Sequence, residues 1–136
     1  MIAWDDLAAG TALEPREYGP LTLTDFVRYQ GASGDFNPIH HDTAFAQAAG
    51  FAEPFSVGML QAGILGTYAT DLFGAANVRR FSVSFREQVW AGDVLVCSGE
   101  VVARHEEGER RVDLRLEVQR VGGGTAIRGE ATFVVP

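Results

Sequence analysis

The sequence contains no lysine and a single cysteine, Cys97. One cysteine cannot form a disulfide within the chain, which excludes a disulfide-stapled fold and favours a reducing compartment. All eleven basic residues are arginines, against 18 acidic residues, so the formal net charge is −7. A nucleic-acid-binding protein needs a clustered basic face, so this charge balance argues against a nucleic-acid partner.

Long hydrophobic runs are also missing. The longest apolar stretch, residues 57–70, is too short and too rich in Gly, Ala and Thr to cross a membrane. The first residues, MIAWDDLAAG, carry two acids and no basic segment, so we expect no secretory leader. These features predict a cytoplasmic protein with no membrane partner.

What is present is typical of one folded domain. A chain of 136 residues is long enough to bury a substantial hydrophobic core. The hydrophobic fraction of 46% and the charged fraction of 21% are those of an ordinary globular protein. No repeat, linker or low-complexity segment divides the chain. We therefore expect one domain over 1–136.

The first half of the chain predicts helices. Thr22 and Asp25 form a capping-box pattern that opens an amphipathic helix over 23–32. Asp42 can cap a short helix over 43–49 in the same way.

A third helix is predicted over 57–73, with Ser56 as its N-cap. Its side chains are apolar all round, apart from Gln61 and small threonines. A helix that is apolar on all sides is one surrounded by protein, so we expect it at the centre of the fold.

The second half alternates apolar and polar residues with a period of two. Phe81, Val83 and Phe85 show the pattern, and it recurs from Val112 to Val118. Glycine-bearing turns separate the segments, and the expected strands are 11–18, 77–86, 94–104, 111–119 and 127–133. An antiparallel meander after one fully apolar helix indicates a curved sheet wrapped around that helix, which is an α+β fold.

Asp35 and His40 lie five residues apart in the segment SGDFNPIHHD, where Asn37-Pro38 predicts a rigid turn. Histidine titrates near neutral pH, and a carboxylate beside it can act as partner base or orient the ring. The start of the central helix adds free backbone amides near Gly58, which can hold a developing oxyanion. We expect a site for proton transfer where this turn meets that helix.

A structural role for both residues is the alternative. Asp35 could cap the turn, and His40 could be a buried, hydrogen-bonded core histidine. The glycine, asparagine and proline around them, with an all-apolar helix downstream, favour the chemical interpretation. His41 and Asp42 also suggest a metal site, but adjacent histidines point in different directions and no further ligand cluster follows. We therefore expect no metal.

The strand arginines and the single cysteine are weaker candidates for functional residues. Arg79, Arg80 and Arg86 could meet the phosphates of a ligand, although charged positions on the wet face of a strand are more often plain solvated surface. Cys97 is expected to be a small buried hydrophobe.

The segment SGDFNPIHHD, followed after a short helix by FSVGML, resembles the hydratase motif of the MaoC-like, (R)-specific enoyl-CoA hydratase family. The similarity extends from the helix that Thr22 opens, through VSFREQVWAGD, to the last strand. It implies a single hot-dog domain, in which an antiparallel sheet wraps around a long central helix. It also implies a homodimer that pairs through its sheets, with the acyl-CoA site near the interface, while heteromeric pairing stays open.

The resemblance implies roles for individual residues. Asp35 and His40 match the catalytic pair, which activates the water added to a trans-2-enoyl thioester and protonates the alpha carbon, or does the reverse. The other matched positions form the expected oxyanion and substrate-binding set: Gly58, Val57, Ser56 and Asn37. In this set the Gly58 amide donates to the thioester carbonyl, and Asn37 holds the turn. Coenzyme A, or an acyl-carrier protein, enters as part of the substrate, so no separate cofactor is expected.

The chain departs from many relatives at two positions. Val57 stands where they carry histidine, and Gly66 stands where some carry serine in the central helix. Both changes leave the Asp/His pair intact and alter the surroundings of the substrate. Gly63 and Gly66 open room beside the helix, which predicts a bulky or branched acyl group.

Two other functions compete with hydration. Many hot-dog thioesterases place a carboxylate on the central helix, and the only acid there is Asp71, at the far end. A non-catalytic partner subunit of a heteromeric hydratase is the second alternative. A merely supporting chain needs neither Asp35 nor His40, so their presence favours an enzyme.

Overall fold

The computed structural model describes residues 2–136 as one antiparallel sheet of five strands with three α-helices. The helices are α1 (Leu23–Ser33), α2 (Thr43–Ala48) and α3 (Gly58–Phe73). The strands are β1 (Arg16–Tyr18), β2 (Val78–Phe85), β3 (Leu95–His105), β4 (Arg111–Arg120) and β5 (Thr125–Val134). The predicted α+β class is confirmed. Nowhere in residues 2–136 is there a helix with the length and apolar character needed to cross a membrane.

Local capping explains where the first two helices begin. The Thr22 Oγ1 accepts a hydrogen bond from the Asp25 amide at 3.1 Å, and the Asp25 carboxylate accepts one from the Thr22 amide at 2.8 Å. Gly34 ends α1 in the left-handed conformation, with φ of 78°. The Asp42 carboxylate caps α2 by accepting from the Phe45 amide at 3.1 Å. The capping box and the Asp42 cap confirm the sequence prediction.

The sheet order is β1-β3-β4-β5-β2, so the predicted meander is only partly correct. Strands β3, β4 and β5 follow one another as expected, but β2 pairs with β5 and lies at an edge. The segment between β2 and β3 does not turn tightly. The Ser56 amide donates to the Val89 carbonyl at 2.8 Å, and Phe55 pairs with Trp90. These contacts hold the segment against the loop that precedes α3 and separate β2 from β3.

The predicted first strand is also shorter than expected. Of residues 11–18, only Arg16–Tyr18 form a strand, and Ala12 adds an isolated bridge to Glu100. Proline at position 15 cannot donate to a ladder, which accounts for the interruption.

Helix α3 packs against β2, β4 and β5 through one face. Leu65, Tyr68 and Phe73 on this face are buried in the hydrophobic core, where Phe73 meets Phe133 at a ring-centroid distance of 5.1 Å. The opposite stripe is exposed at four-residue spacing: Met59, Gly63, Thr67 and Asp71. The prediction that this helix is surrounded by protein on all sides is therefore wrong for the single chain.

We expect Cys97 to be unreactive in the folded protein. Its side chain is fully buried on β3, and burial raises the pKa of the thiol from 9.0 to about 12. Because the thiolate is the nucleophile, a thiol reagent at about pH 8 should label this cysteine in denaturant and leave it essentially unlabelled in the native state. Rapid labelling of the native protein would contradict this placement.

Candidate active site

The turn that follows α1 is held by local hydrogen bonds. The Asn37 side-chain oxygen accepts from the Ile39 amide at 3.1 Å, which caps a 3-10 turn over Pro38–His40. The Asp35 carboxylate accepts from the Asn37 amide at 3.3 Å, and the Asp35 amide donates to the Ser33 hydroxyl at 3.2 Å. The Asp35 side chain itself is exposed at the start of the turn.

Gln30 connects this turn to α1. Its side chain is 2% exposed, and its Nε2 donates to the Asn37 carbonyl at 3.0 Å. Its Oε1 lies 2.8 Å from Nδ1 of His41, which therefore carries the proton on that nitrogen. His41 is exposed and contacts Gln30, whereas His40 is buried, so the two adjacent histidines point in different directions as predicted.

His40 is held in one tautomer. Its Nδ1 lies 2.8 Å from the Phe55 carbonyl oxygen, and a carbonyl oxygen only accepts, so Nδ1 carries the proton. The neutral ring then presents Nε2 as an acceptor, and Nε2 has no partner within residues 2–136. The ring is only 8% exposed and meets the Phe55 ring edge-to-face at 5.3 Å. A fixed ring with a free basic nitrogen is suited to proton transfer.

The bond from His40 to Phe55 also places the imidazole beside the start of α3. Val57 is the N-cap residue and supplies no side-chain hydrogen bond to the helix. The first amides of an α-helix have no intrahelical acceptor, so the Gly58 amide remains available to a ligand oxygen. Among these residues Val57 is buried and Gly58 is partly accessible.

Ser56 is not the N-cap, and that prediction is wrong. Its hydroxyl donates instead to Oε1 of Gln61 at 2.6 Å, and both side chains are 2% exposed. A carboxamide that is buried without a hydrogen-bond partner is costly, whereas the amides at a helix end can bind solvent or a ligand instead. This accounts for the bond of Ser56 to Gln61 in place of the predicted N-cap. One feature of the sequence could have indicated Gln30 and Gln61 as functional residues: each is a glutamine among apolar residues in a predicted helix.

A cavity of about 290 Å³ opens between the turn, the start of α3 and the end of β2. Its lining residues are His40, Phe55, Ser56, Gly58, Gln61, Phe85, Arg86, Glu87 and Gln88. A Cβ atom on Gly58 would lie 3.0 Å from the Phe85 ring, so glycine lets this wall of the cavity approach the helix.

The structure thus brings His40, Ser56 and Gly58 together, and it adds Gln61, which the sequence did not single out. Asp35, Asn37 and Val57 are not among the described residues that line the cavity. Asn37 lies in the turn that carries His40, and Val57 lies directly before Gly58.

The three arginines considered as phosphate ligands differ from one another. Arg79 pairs with Glu109 at 2.6 Å, and Arg80 pairs with Glu130 at 3.4 Å. Arg86 instead lines the cavity. Within the described residues, no three His, Cys, Asp or Glu side chains converge as metal ligands do.

The acid of the central helix lies far from the cavity. Asp71 accepts from Arg16 at 2.6 Å and is exposed. It stands thirteen residues beyond Gly58, which is about 20 Å along an α-helix. No acidic side chain of α3 therefore faces the cavity, which argues against the thioesterase arrangement.

Comparison with known proteins agrees with this geometry. Residues 6–121 match the family model described as the MaoC like domain. The (R)-specific enoyl-CoA hydratase of Aeromonas caviae is 34% identical over 110 residues, which are 79% of this chain and 81% of that protein.

Solved structures agree as well. The structure of the (R)-hydratase from A. caviae involved in PHA biosynthesis superposes with a TM-score of 0.84 at 29% identity, covering 96% of this chain and 98% of that one. The ChsH1-ChsH2 complex from Mycobacterium tuberculosis shares the fold, with a TM-score of 0.82 at 21% identity and coverage of 95% and 98%. The predicted hot-dog fold is confirmed, and the chain belongs to the MaoC-like family of hydratases and dehydratases.

Proposed function

We propose that this protein is an enoyl-thioester hydratase. It adds water reversibly to a trans-2-enoyl thioester of coenzyme A or of an acyl-carrier protein and gives the (R)-3-hydroxyacyl thioester. The observation that carries the proposal is the single tautomer of His40, whose free Nε2 shares a cavity with the amide end of α3 at Gly58. The relative from Aeromonas caviae, named as an (R)-specific enoyl-CoA hydratase, supports the same reaction.

In the proposed reaction, Asp35 and His40 hold the attacking water between them. One of the pair takes a proton as the water oxygen bonds to C3, and the C2=C3 electron pair shifts toward the thioester. Negative charge develops on the thioester oxygen, which accepts a hydrogen bond from the Gly58 amide. The pair then delivers one proton to C2, so the elements of one water molecule are added. Dehydration runs the same steps in reverse.

The remaining predicted residues support this chemistry in the proposal. Asn37 holds the turn on which Asp35 and His40 stand. Ser56 and Val57 set the path of the chain into α3 and so place the Gly58 amide. Acid–base addition of water moves no electrons to an external acceptor, so the reaction needs no redox cofactor, and coenzyme A enters only with the substrate.

The direct test is the loss of ultraviolet absorbance of the enoyl-thioester chromophore. The purified protein would be mixed with trans-2-enoyl-CoAs that run from short to long and branched, and with matching acyl-carrier-protein thioesters. We expect turnover, with the best substrate reporting the room beside Gly63 and Gly66. Best turnover of a short, unbranched chain would rule out the expected bulky acyl group. No turnover of any thioester by the folded protein would refute the proposed function for this chain alone.

We further propose that the protein works as a homodimer joined along β2. The sheet has two edges, and the β1 edge has only three residues, whereas β2 presents eight residues with an unpaired side. An unpaired long strand is a template for another chain. Two of its aromatic side chains are unusually accessible, with Phe81 37% and Phe85 53% exposed. Nearby Met59, at the start of α3, is 55% exposed.

A second copy is the occupant that fits this edge, because two identical strands can pair about a twofold axis. Such pairing would cover Phe81 and Phe85 and would also extend the wall of the cavity that Phe85 lines. The partner would then help to enclose the substrate.

The dimer proposal predicts that Phe85→Glu yields a monomer. A charge at an exposed position leaves the fold of one chain intact, but its burial between two strands is unfavourable. Sedimentation equilibrium would measure the mass. The matched control is Val121→Glu, since Val121 is 56% exposed and belongs to the turn between β4 and β5 rather than to β2. A wild-type monomer would contradict the homodimer and direct attention to a different partner chain.

A further inference from the structure

The side chains of Ser56 and Gln61 form a buried polar pair at the wall of the cavity. Each side chain is 2% exposed, and the Ser56 hydroxyl lies 2.6 Å from Oε1 of Gln61. Such a short separation is typical of an O–H···O bond and shorter than an N–H···O bond. The carboxamide oxygen of Gln61 therefore faces Ser56, and its NH2 group faces away from Ser56.

The one hydrogen bond of the Gln61 side chain within residues 2–136 is the bond that its Oε1 accepts from Ser56, so its NH2 group has no acceptor there. Gln61 nevertheless lines the cavity together with His40 and Gly58. A nearly buried amide N–H that lacks a protein partner is unfavourable unless another group accepts from it. No fully buried side-chain nitrogen or oxygen among the described residues lacks a partner, so this NH2 group retains some exposure and can donate to a molecule bound in the cavity that Gln61 lines.

The position of Gln61 in α3 indicates which part of a ligand it meets. Helical side chains lean toward the N-terminus of their helix, so the carboxamide of this fourth residue lies beside the first turn. Its bond to Ser56, two residues before Gly58, holds it at that level. The NH2 group of Gln61 and the amide of Gly58 therefore open onto the same part of the cavity.

We propose that Gln61 is a substrate-binding residue whose Nε2–H donates to the thioester carbonyl oxygen, as a second donor beside the Gly58 amide. This inference rests on the proposed hydratase function. The Ser56 hydroxyl fixes the orientation of the carboxamide before the substrate arrives, so little reorganisation accompanies the reaction. A donor held in this way binds the oxygen more strongly as negative charge develops on it.

Two substitutions separate this role from a purely structural one. Gln61→Glu keeps an acceptor for Ser56 but replaces the donor NH2 with an oxygen, while Ser56→Ala keeps the donor and removes its partner. We expect Gln61→Glu to lower kcat by about a hundredfold or more, which is the usual effect of losing one oxyanion donor. Ser56→Ala should lower kcat less. If Gln61 only satisfied Ser56, Gln61→Glu would retain activity, and that result would overturn the inference.

Gln61→Met gives a neutral comparison of similar length. It should also lower kcat for a plain trans-2-butenoyl thioester, with a smaller change in KM, because the contact strengthens in the transition state. A loss confined to substrates with an oxygen in the acyl tail would place the donor elsewhere on the substrate and overturn the inference. If the wild type turns over no enoyl thioester, the proposed function fails, and this inference fails with it. If the wild type is active and all Gln61 variants match it, only the inference fails.

A spectroscopic measurement does not depend on turnover. The carbonyl stretch of trans-2-butenoyl-CoA, labelled with ¹³C at the thioester carbon, would be recorded on a His40→Asn background that binds without reacting. Two donors polarise the carbonyl, so the frequency should lie below its value in water. Adding Gln61→Met should reverse part of that shift. An unchanged frequency would overturn the inference even if the activity of the variant were low.

Discussion

Replacement of His40 by asparagine is expected to lower kcat by at least about a hundredfold, the size of a positioned acid–base contribution. The amide nitrogen of asparagine lies close to the position of Nδ1, so it can still donate to the Phe55 carbonyl that His40 contacts at 2.8 Å. The substitution removes Nε2, the nitrogen that is free to exchange protons with a ligand. Lost contact with the Phe55 ring should reduce the free energy of unfolding by no more than about 1–2 kcal/mol.

The matched comparison is His40→Gln, which places an amide near Nε2 and loses the donor to Phe55. Neither amide can take or give a proton near neutral pH, so we expect both variants to be inactive in the absorbance assay. Circular dichroism and a urea titration would show that both remain folded. Activity of either variant near the wild-type level would remove His40 from the mechanism and favour its interpretation as a core histidine.

Asp35→Asn is expected to lower kcat by at least about a hundredfold as well. The Asp35 side chain is exposed, and asparagine retains an oxygen that can accept from the Asn37 amide, so the turn should persist. What the variant loses is a carboxylate that can bind water and carry a proton.

The control for Asp35→Asn is Glu53→Gln, which removes one negative charge from another exposed position. We expect this control to keep wild-type kcat and KM, since it changes the net charge without touching the turn or the cavity. A substantially active Asp35→Asn variant, beside an inactive His40→Asn, would mean that His40 acts without a carboxylate partner.

Much of the local structure could be predicted because it depends on residues close together in the chain. The Thr22–Asp25 capping box, the Asp42 cap and the left-handed Gly34 all arise within a few residues of one another. The turn at Asn37-Pro38 is of the same kind, since Asn37 caps the amide two residues ahead. Short-range hydrogen bonds of this kind are formed with little dependence on the rest of the fold.

The sequence also identified candidate site residues, because their types and their spacing are visible without a structure. It indicated Asp35, His40 and Gly58 as groups with the right chemistry and predicted that a turn and a helix start would meet. It did not determine the tautomer of His40, because the partner is a backbone carbonyl fifteen residues away. Nor did it predict that Ser56 would bind Gln61 rather than cap the helix.

Only the tertiary structure decided which strand lies beside β5 and which side of α3 remains uncovered. Alternation along β2 shows that it is a strand, but any strand with the same pattern could occupy the same edge. The contacts of 86–94 with the loop before α3 settle the order, and they depend on residues far apart in the chain. The uncovered stripe of α3 also depends on contacts between distant residues. The apolar composition of the helix predicts that it is buried, but it does not show which part of the protein covers each side.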